Sequence, residues 1–150
     1  MDPSDDFFSG AAYAVFGARA RGRIHGSVLI PALNRAGKCV YVVGSAPLWG
    51  AVGASSLAAV GPVDGVVVLP PAPWASDSAE LVSDAARQCK EQGVDRLWIY
   101  TAGRPDEAVR IAKEHGLDPV AGRCPCLHIV GGGFPHGTHR LLLKLAGAIR

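Results

Sequence analysis

Four uninterrupted apolar runs punctuate this chain: Ala12-Tyr13-Ala14-Val15-Phe16, Cys39-Val40-Tyr41-Val42-Val43, Gly65-Val66-Val67-Val68-Leu69 and, following Arg96, Leu97-Trp98-Ile99-Tyr100. Runs of this length without polar alternation predict strands buried on both faces. Helical patterns lie between them. Ser27 to Gly37 predicts a helix ended by its glycine, with Pro31 tolerable only inside the first turn. Asp77 and Glu80 have capping-box spacing and predict a helix carrying Leu81, Ala85 and Cys89 on one face, ended by Gly93. Pro105 predicts the start of a third helix, with Ala108, Ile111 and Ala112 inward and Gly116 at its end. Gly44 to Val63 reads as loop, with a short edge strand near Ala51-Val52 and a helical turn at Ser56-Leu57-Ala58-Ala59. Pro119-Val120-Ala121 predicts a last short strand. Residues 138–150 predict a terminal helix with Leu141, Leu142, Leu145 and Ile149 on one side.

Strands alternating with helices predict an α/β fold: a doubly wound, mostly parallel, Rossmann-like sheet in a single domain over residues 1–150. Composition agrees. The 150 residues are 49% apolar and 19% charged, which excludes disorder, and 19 Gly with 11 Pro suit many turns rather than a helical bundle. A net charge of +2 is too small for a general nucleic-acid coat. No apolar run approaches the ~20 residues a bilayer requires. The opening Met1-Asp2-Pro3-Ser4-Asp5-Asp6 is acidic and unlike a leader, and four cysteines at this length do not suggest a secreted disulfide framework. The expectation is a soluble cytoplasmic domain with neither a membrane nor a nucleic-acid partner. The apolar stripe of the terminal helix either closes the core or pairs with a second copy, which makes a homodimer an expectation as well.

In such sheets ligands lie beyond the carboxyl ends of the strands, where strand order reverses. The loop after the first strand runs Gly17-Ala18-Arg19-Ala20-Arg21-Gly22-Arg23-Ile24-His25-Gly26, then Ser27. Gly17 allows a sharp exit from the strand, while Ala18 and Gly26 permit close backbone approach. The helix that follows offers free N–H groups and a positive dipole end. Arg19, Arg21 and Arg23 add planar forks suited to phosphate oxygens, and His25 is placed to join them. A phosphate-rich ligand is the natural partner. The nicotinamide fingerprint G-x-G-x-x-G fails at Arg19, and no charged residue occurs from Cys39 to Val63 to hold ribose hydroxyls, so NAD is demoted; NADP survives because arginines can take its 2′-phosphate. The nucleoside triphosphate P-loop is absent.

Several segments together resemble a known family. They are Gly17-Ala18 with its basic loop, Val63-Asp64-Gly65-Val66-Val67-Val68, Leu69-Pro70-Pro71-Ala72-Pro73-Trp74, Leu97-Trp98-Ile99-Tyr100-Thr101-Ala102-Gly103 and Gly122-Arg123-Cys124-Pro125-Cys126. In this order, over most of residues 12 to 128, they resemble the CoA-binding domain family. It includes the amino-terminal domain of the succinyl-CoA synthetase α subunit and small free-standing bacterial proteins. The resemblance implies CoA as the cofactor. Gly17, Ala18, Arg19, Arg21, Arg23, His25, Gly26 and Ser27 would lie at its phosphates. Gly44, Ser45, Pro70, Pro71, Ala72, Trp74, Ala102, Gly103 and Cys124 would line the rest of the groove. The α subunit's second domain, with its phosphorylated histidine, has no counterpart in this chain, so ligase chemistry is not expected from it alone.

Other chemistry is sparse. Cys124, Cys126 and His128 stand at i, i+2 and i+4 and would share one side of an extended segment, with His136 and His139 beyond, so zinc or a redox-responsive thiol is an alternative. Cys39 and Cys89 read as core, as does Trp98, whereas Trp49 and Trp74 fall in ligand-side loops. The expected ligand loops hold almost no acids, and no catalytic triad or carboxylate pair is evident, so no catalytic residue is assigned. The reading is a CoA- or acyl-CoA-binding protein, regulatory or a partner subunit. The alternatives are an NADP- or CoA-dependent enzyme acting with another chain, and a Cys/His metal-binding or redox-sensing protein.

Overall fold

The computed structural model describes residues 2–18, 25–71, 74–101 and 104–129. The apolar runs form strands. In chain order they are β1 (Ala12–Phe16), β2 (Cys39–Val43), the short β3 (Val52–Ala54), β4 (Gly65–Val68), β5 (Leu97–Ile99) and the short β6 (Val120–Ala121). They make one sheet in the order β3-β2-β1-β4-β5-β6 with every pairing parallel, the arrangement of a Rossmann-like α/β domain. β1 is central and its last residue, Phe16, pairs with Val43 on one side and Val68 on the other. Three carboxyl ends are therefore level, and strand order reverses between β1 and β4.

Helix α1 (His25–Arg35) covers one face, burying Leu29, Ile30, Ala32 and Leu33 against Tyr13, Val15, Val40 and Val42. Helices α2 (Ser76–Gln92) and α3 (Pro105–Glu114) cover the other, over Ala14, Phe16, Val66, Val68, Leu97 and Ile99. The parity of these positions is the period-2 alternation of a strand sandwiched between two layers. Gly93 ends α2 in the left-handed conformation, and Val94 N–H then reaches back to the Cys89 carbonyl at 2.8 Å.

A 3-10 turn at Phe7–Ser9, which the pattern of the chain does not announce, completes the α1 face. Phe7 and Phe8 are buried against Trp98, with ring centroids 5.1 and 5.5 Å away. The Tyr13 hydroxyl pins this turn, donating to the Phe7 carbonyl (2.9 Å) and accepting from Gly10 N–H (2.8 Å).

Four local expectations are corrected. α1 starts two residues earlier than read, so Pro31 is its seventh residue rather than a first-turn one, and the Ser27 carbonyl loses its usual i+4 donor. α2 is not capped by Asp77. Its N-cap is Ala75, whose N–H donates to the Ser78 hydroxyl at 2.9 Å, so Ser78 rather than Glu80 takes the reach-back role. Cys39 is exposed, not core, because it opens β2 at the uncovered amino end of the sheet; Cys89 is buried as read. Cys124 to His128 is not extended: Pro125–His128 is a 3-10 turn. The predicted terminal helix lies outside the described residues.

Candidate functional site

A groove of about 740 Å³ opens over the carboxyl ends of β1 and β2. Gly17, Ala18, Val43, Gly44 and Ser45 form its floor, Pro71 one end, and α2 its wall. Two glycines are required by the packing. Gly17 has φ +77, and a Cβ there would stand 2.4 Å from the Leu69 carbonyl and 2.8 Å from Leu81 Cδ2. A Cβ on Gly26 would meet the Ala18 carbonyl at 2.5 Å and the Trp49 ring at 2.9 Å. The first turn of α1 thus rests on the Ala18 backbone, bringing the helix's positive end beside the exit of β1.

The expected site residues divide into three groups. Gly17, Ala18, Gly44, Ser45 and Pro71 meet in the groove, and Gly26 buttresses it from below. Pro70 is buried just behind Pro71, while Trp74 packs on the core under α2 and Ser27 lies in the first turn of α1. Cys124 stands at the far edge of the sheet, after β6, and does not line the groove. Arg19, Arg21, Arg23, Ala72, Ala102 and Gly103, with the side chain of His25, lie outside the described residues. Trp98 is core as read, its indole N–H donating to the Arg123 carbonyl at 2.9 Å. Trp49 is 42% exposed, in the loop that Asn34 ties to α1 through the Trp49 carbonyl (3.0 Å).

What the loops did not reveal is the acidic wall. Asp77, Glu80 and Asp84 face the groove with Leu81, Ser83 and Arg87. Asp84 is neutralised by Arg87 at 2.5 Å, and Arg87 also holds Glu91 at 2.9 Å, which raises the arginine's pKa. Positions 77, 80 and 84 share one stripe of a helix by i, i+3 and i+7 spacing, so the signal was present in the helix rather than in the loops. Nearby, the Ser83 hydroxyl is 3.0 Å from His115 Nε2. Among the described residues, no group of three or more His, Cys, Asp or Glu is arranged to hold a metal ion, and no helix is long and apolar enough to cross a membrane.

Comparison with known proteins bears directly on this groove. The model of the CoA-binding domain matches residues 11–129. The chain belongs to the CoA-binding domain family. Solved structures with the same fold include a hypothetical protein from Pyrococcus horikoshii (TM-score 0.63, 20% identity, covering 83% of this chain and 84% of that one). A protein from Thermus thermophilus gives a TM-score of 0.62 at 23% identity, covering 83% and 93%. A conserved hypothetical protein from Pyrococcus furiosus gives 0.57 at 22%, covering 77% and 96%. No curated protein matches the chain. The match to this CoA-binding domain spans β1 to the Pro125–His128 turn, and so takes in every element that shapes the groove.

Proposed function

We propose that this CoA-binding domain holds CoA or an acyl-CoA, with the ligand's adenosine diphosphate portion in the groove over β1 and β2. The observation that carries the reading is the position of that groove. It lies beside the β1/β4 switch point, with Gly17 and Gly26 clearing the backbone for close approach, in a chain of this family. The pyrophosphate would rest on the Gly17–Ala18 backbone and the first turn of α1, where N–H groups and the helix dipole favour an anion. Arg19, Arg21 and Arg23 would supply charge-assisted hydrogen bonds, and the adenosine would extend toward Gly44 and Ser45. We assign no catalytic group to the chain and read its role as regulatory, or as a partner subunit. A cytoplasmic setting is in keeping with four free cysteines. The acid-free end of β2 makes NADP the second reading.

Calorimetry with CoA, NADP and NAD tests this. CoA is expected to bind tightest and NAD weakest, and the double variant Arg21→Ala/Arg23→Ala to weaken CoA about 100-fold through two lost charge-assisted contacts. Tighter binding of NADP than of CoA, or an unchanged double variant, would overturn the reading.

A further inference from the structure

Trp49 plays no part in the reading above, yet its backbone is held in an unusual way at the rim of the groove. It lies in a four-residue turn between β2 and β3, where Leu48 and Ala51 exchange backbone hydrogen bonds of 2.9 and 3.3 Å. Both central residues are left-handed: Gly50 at φ +86 and Trp49 itself at φ +50. That region is natural for glycine and costly for a bulky aromatic residue, and residues held in it concentrate at ligand clamps and active sites. The surroundings impose the conformation. Leu48 and Ala51 pack into the core on the α1 face, and the Asn34 side chain of α1 donates to the Trp49 carbonyl at 3.0 Å. The Trp49 ring gains little packing in return: it joins neither core cluster, and 42% of the residue is exposed. One edge of the ring is fixed. A Cβ on Gly26 would meet the Ala18 carbonyl and Trp49 Cζ3 at once, so that edge lies beside the Ala18 backbone that floors the groove.

We propose that Trp49 is a stacking platform for the adenine ring of the bound cofactor. The inference rests on the reading of the groove as a CoA site and names the residue that recognises the base there. The indole is flat, anchored by one edge and open to solvent, and its loop continues from Gly44 and Ser45, toward which the adenosine extends in that reading. No charged residue occurs from Cys39 to Val63, so this end of the groove has no ionic contact for a phosphate. What it offers is a π-face, which a base can use and a phosphate cannot. The imposed backbone conformation holds the indole in place before the ligand arrives, which lowers the ordering cost of binding. Stacking reads the base rather than the phosphates. Trp49 therefore separates adenine-bearing cofactors from their base-free fragments, and the choice among the adenine-bearing ones falls to the phosphate contacts.

The test uses the full-length protein with two probes, CoA and 4′-phosphopantetheine, the part of CoA that lacks the adenosine. By calorimetry, Trp49→Leu is expected to weaken CoA about tenfold or more, and Trp49→Phe about threefold or less because a phenyl ring still stacks. Phosphopantetheine affinity should stay within about twofold in each variant. CoA, but not phosphopantetheine, is expected to quench indole emission in the wild type, and the quench should vanish in Trp49→Phe, since Trp74 and Trp98 pack on the core. Trp49→Gly separates binding from folding. Glycine takes a positive φ without strain, so the thermal midpoint should hold or rise while CoA weakens as much as in Trp49→Leu. Unchanged CoA affinity in Trp49→Leu and Trp49→Gly, or an equal loss for phosphopantetheine, overturns the inference and leaves the groove a CoA site. Wild-type protein that binds no CoA overturns the reading of the groove, and this inference with it.

Discussion

On the face made by Ala14, Phe16, Val66, Val68, Leu97 and Ile99, two regular helices supply the cover, and Val82, Ala85, Ala86, Cys89, Ala108, Ile111 and Ala112 bury many small aliphatic groups. On the opposite face α1 covers the β1–β2 side. The region over Val67 and Trp98 is filled by Phe7, Phe8, Cys126 and Ile129, all from segments without regular helix. Both faces reach full burial, since apolar sheet surface must leave water whatever covers it. The difference is in how the stabilisation is distributed. The helical face spreads it over many side chains of modest size, whereas the irregular face concentrates it in a few aromatic rings held by specific hydrogen bonds.

The largest effect that tests this contrast is at Phe7. It contacts Phe8, Tyr13 and Trp98, with centroids 4.9, 6.1 and 5.1 Å away. Phe7→Ala is expected to lower the unfolding free energy in urea by about 3–5 kcal/mol. If the amino-terminal segment were only a surface dressing, the change would stay within about 0.5 kcal/mol. Ile111→Val on α3, where neighbours share the load, should cost only about 0.5–1.5 kcal/mol.

The same contrast governs what could be read from the chain. β1 and β2 match their apolar runs residue for residue, and α2 and α3 end at Gly93 and beside Gly116, because periodicity and left-handed glycines are local signals. Phe7 and Phe8 carry no such signal. A diphenylalanine in an acidic opening segment acquires meaning only once Trp98, some ninety positions later, is placed beneath it. The groove was legible in outline, through Gly17, Ala18, Gly44, Ser45 and Pro71. Its acidic wall was not, because the carboxyl-end loops are where such a sheet is expected to bind, while Asp77, Glu80 and Asp84 lie on a helix side. Pro31 sits inside α1 for a related reason: a proline penalty is local, and tertiary burial of Leu29, Ile30 and Leu33 outweighs it.

Acid should loosen the irregular face before the helical one. Asp64 accepts N–H bonds from Ala12 (3.0 Å) and Ala11 (2.7 Å), which hold its carboxyl below the ordinary range at the start of β1. Asp2 is held down to about 2, first by the Ser4 N–H, then by the Ser4 hydroxyl and the charge of Arg123. Carboxyls lowered in the folded state stabilise it fully above their unfolded values near 4, and that contribution is lost as pH falls through the folded ones. Stability is therefore expected to drop between about pH 4 and pH 2, read as a change in Trp98 fluorescence from the Phe7–Phe8 packing. Asp64→Asn should remove part of that dependence and cost on the order of 1 kcal/mol or less at neutral pH, since the group is exposed and screened. An unchanged acid profile in Asp64→Asn would detach the two N–H bonds from stability.

The smallest effect concerns the helical face, because α2 both covers the sheet and walls the groove. Asp84 is paired with Arg87, but Asp77 and Glu80 make no ion pair among the described residues. A ligand rich in phosphate would meet these two carboxylates on the α2 wall. At separations of roughly 8–10 Å in water each repels a unit charge by about 0.5 kcal/mol, a factor of about two in affinity. Asp77→Asn and Glu80→Gln are accordingly expected to tighten CoA about twofold each at low salt, and the gain should fade as salt rises. The irregular face offers no such lever, so the paired control is Asp6→Asn beside Arg96, which should leave affinity unchanged. Weaker binding in Asp77→Asn or Glu80→Gln would instead mean that the carboxylate accepts hydrogen bonds from the ligand's hydroxyls or amine, and α2 would then be a recognition surface rather than a wall.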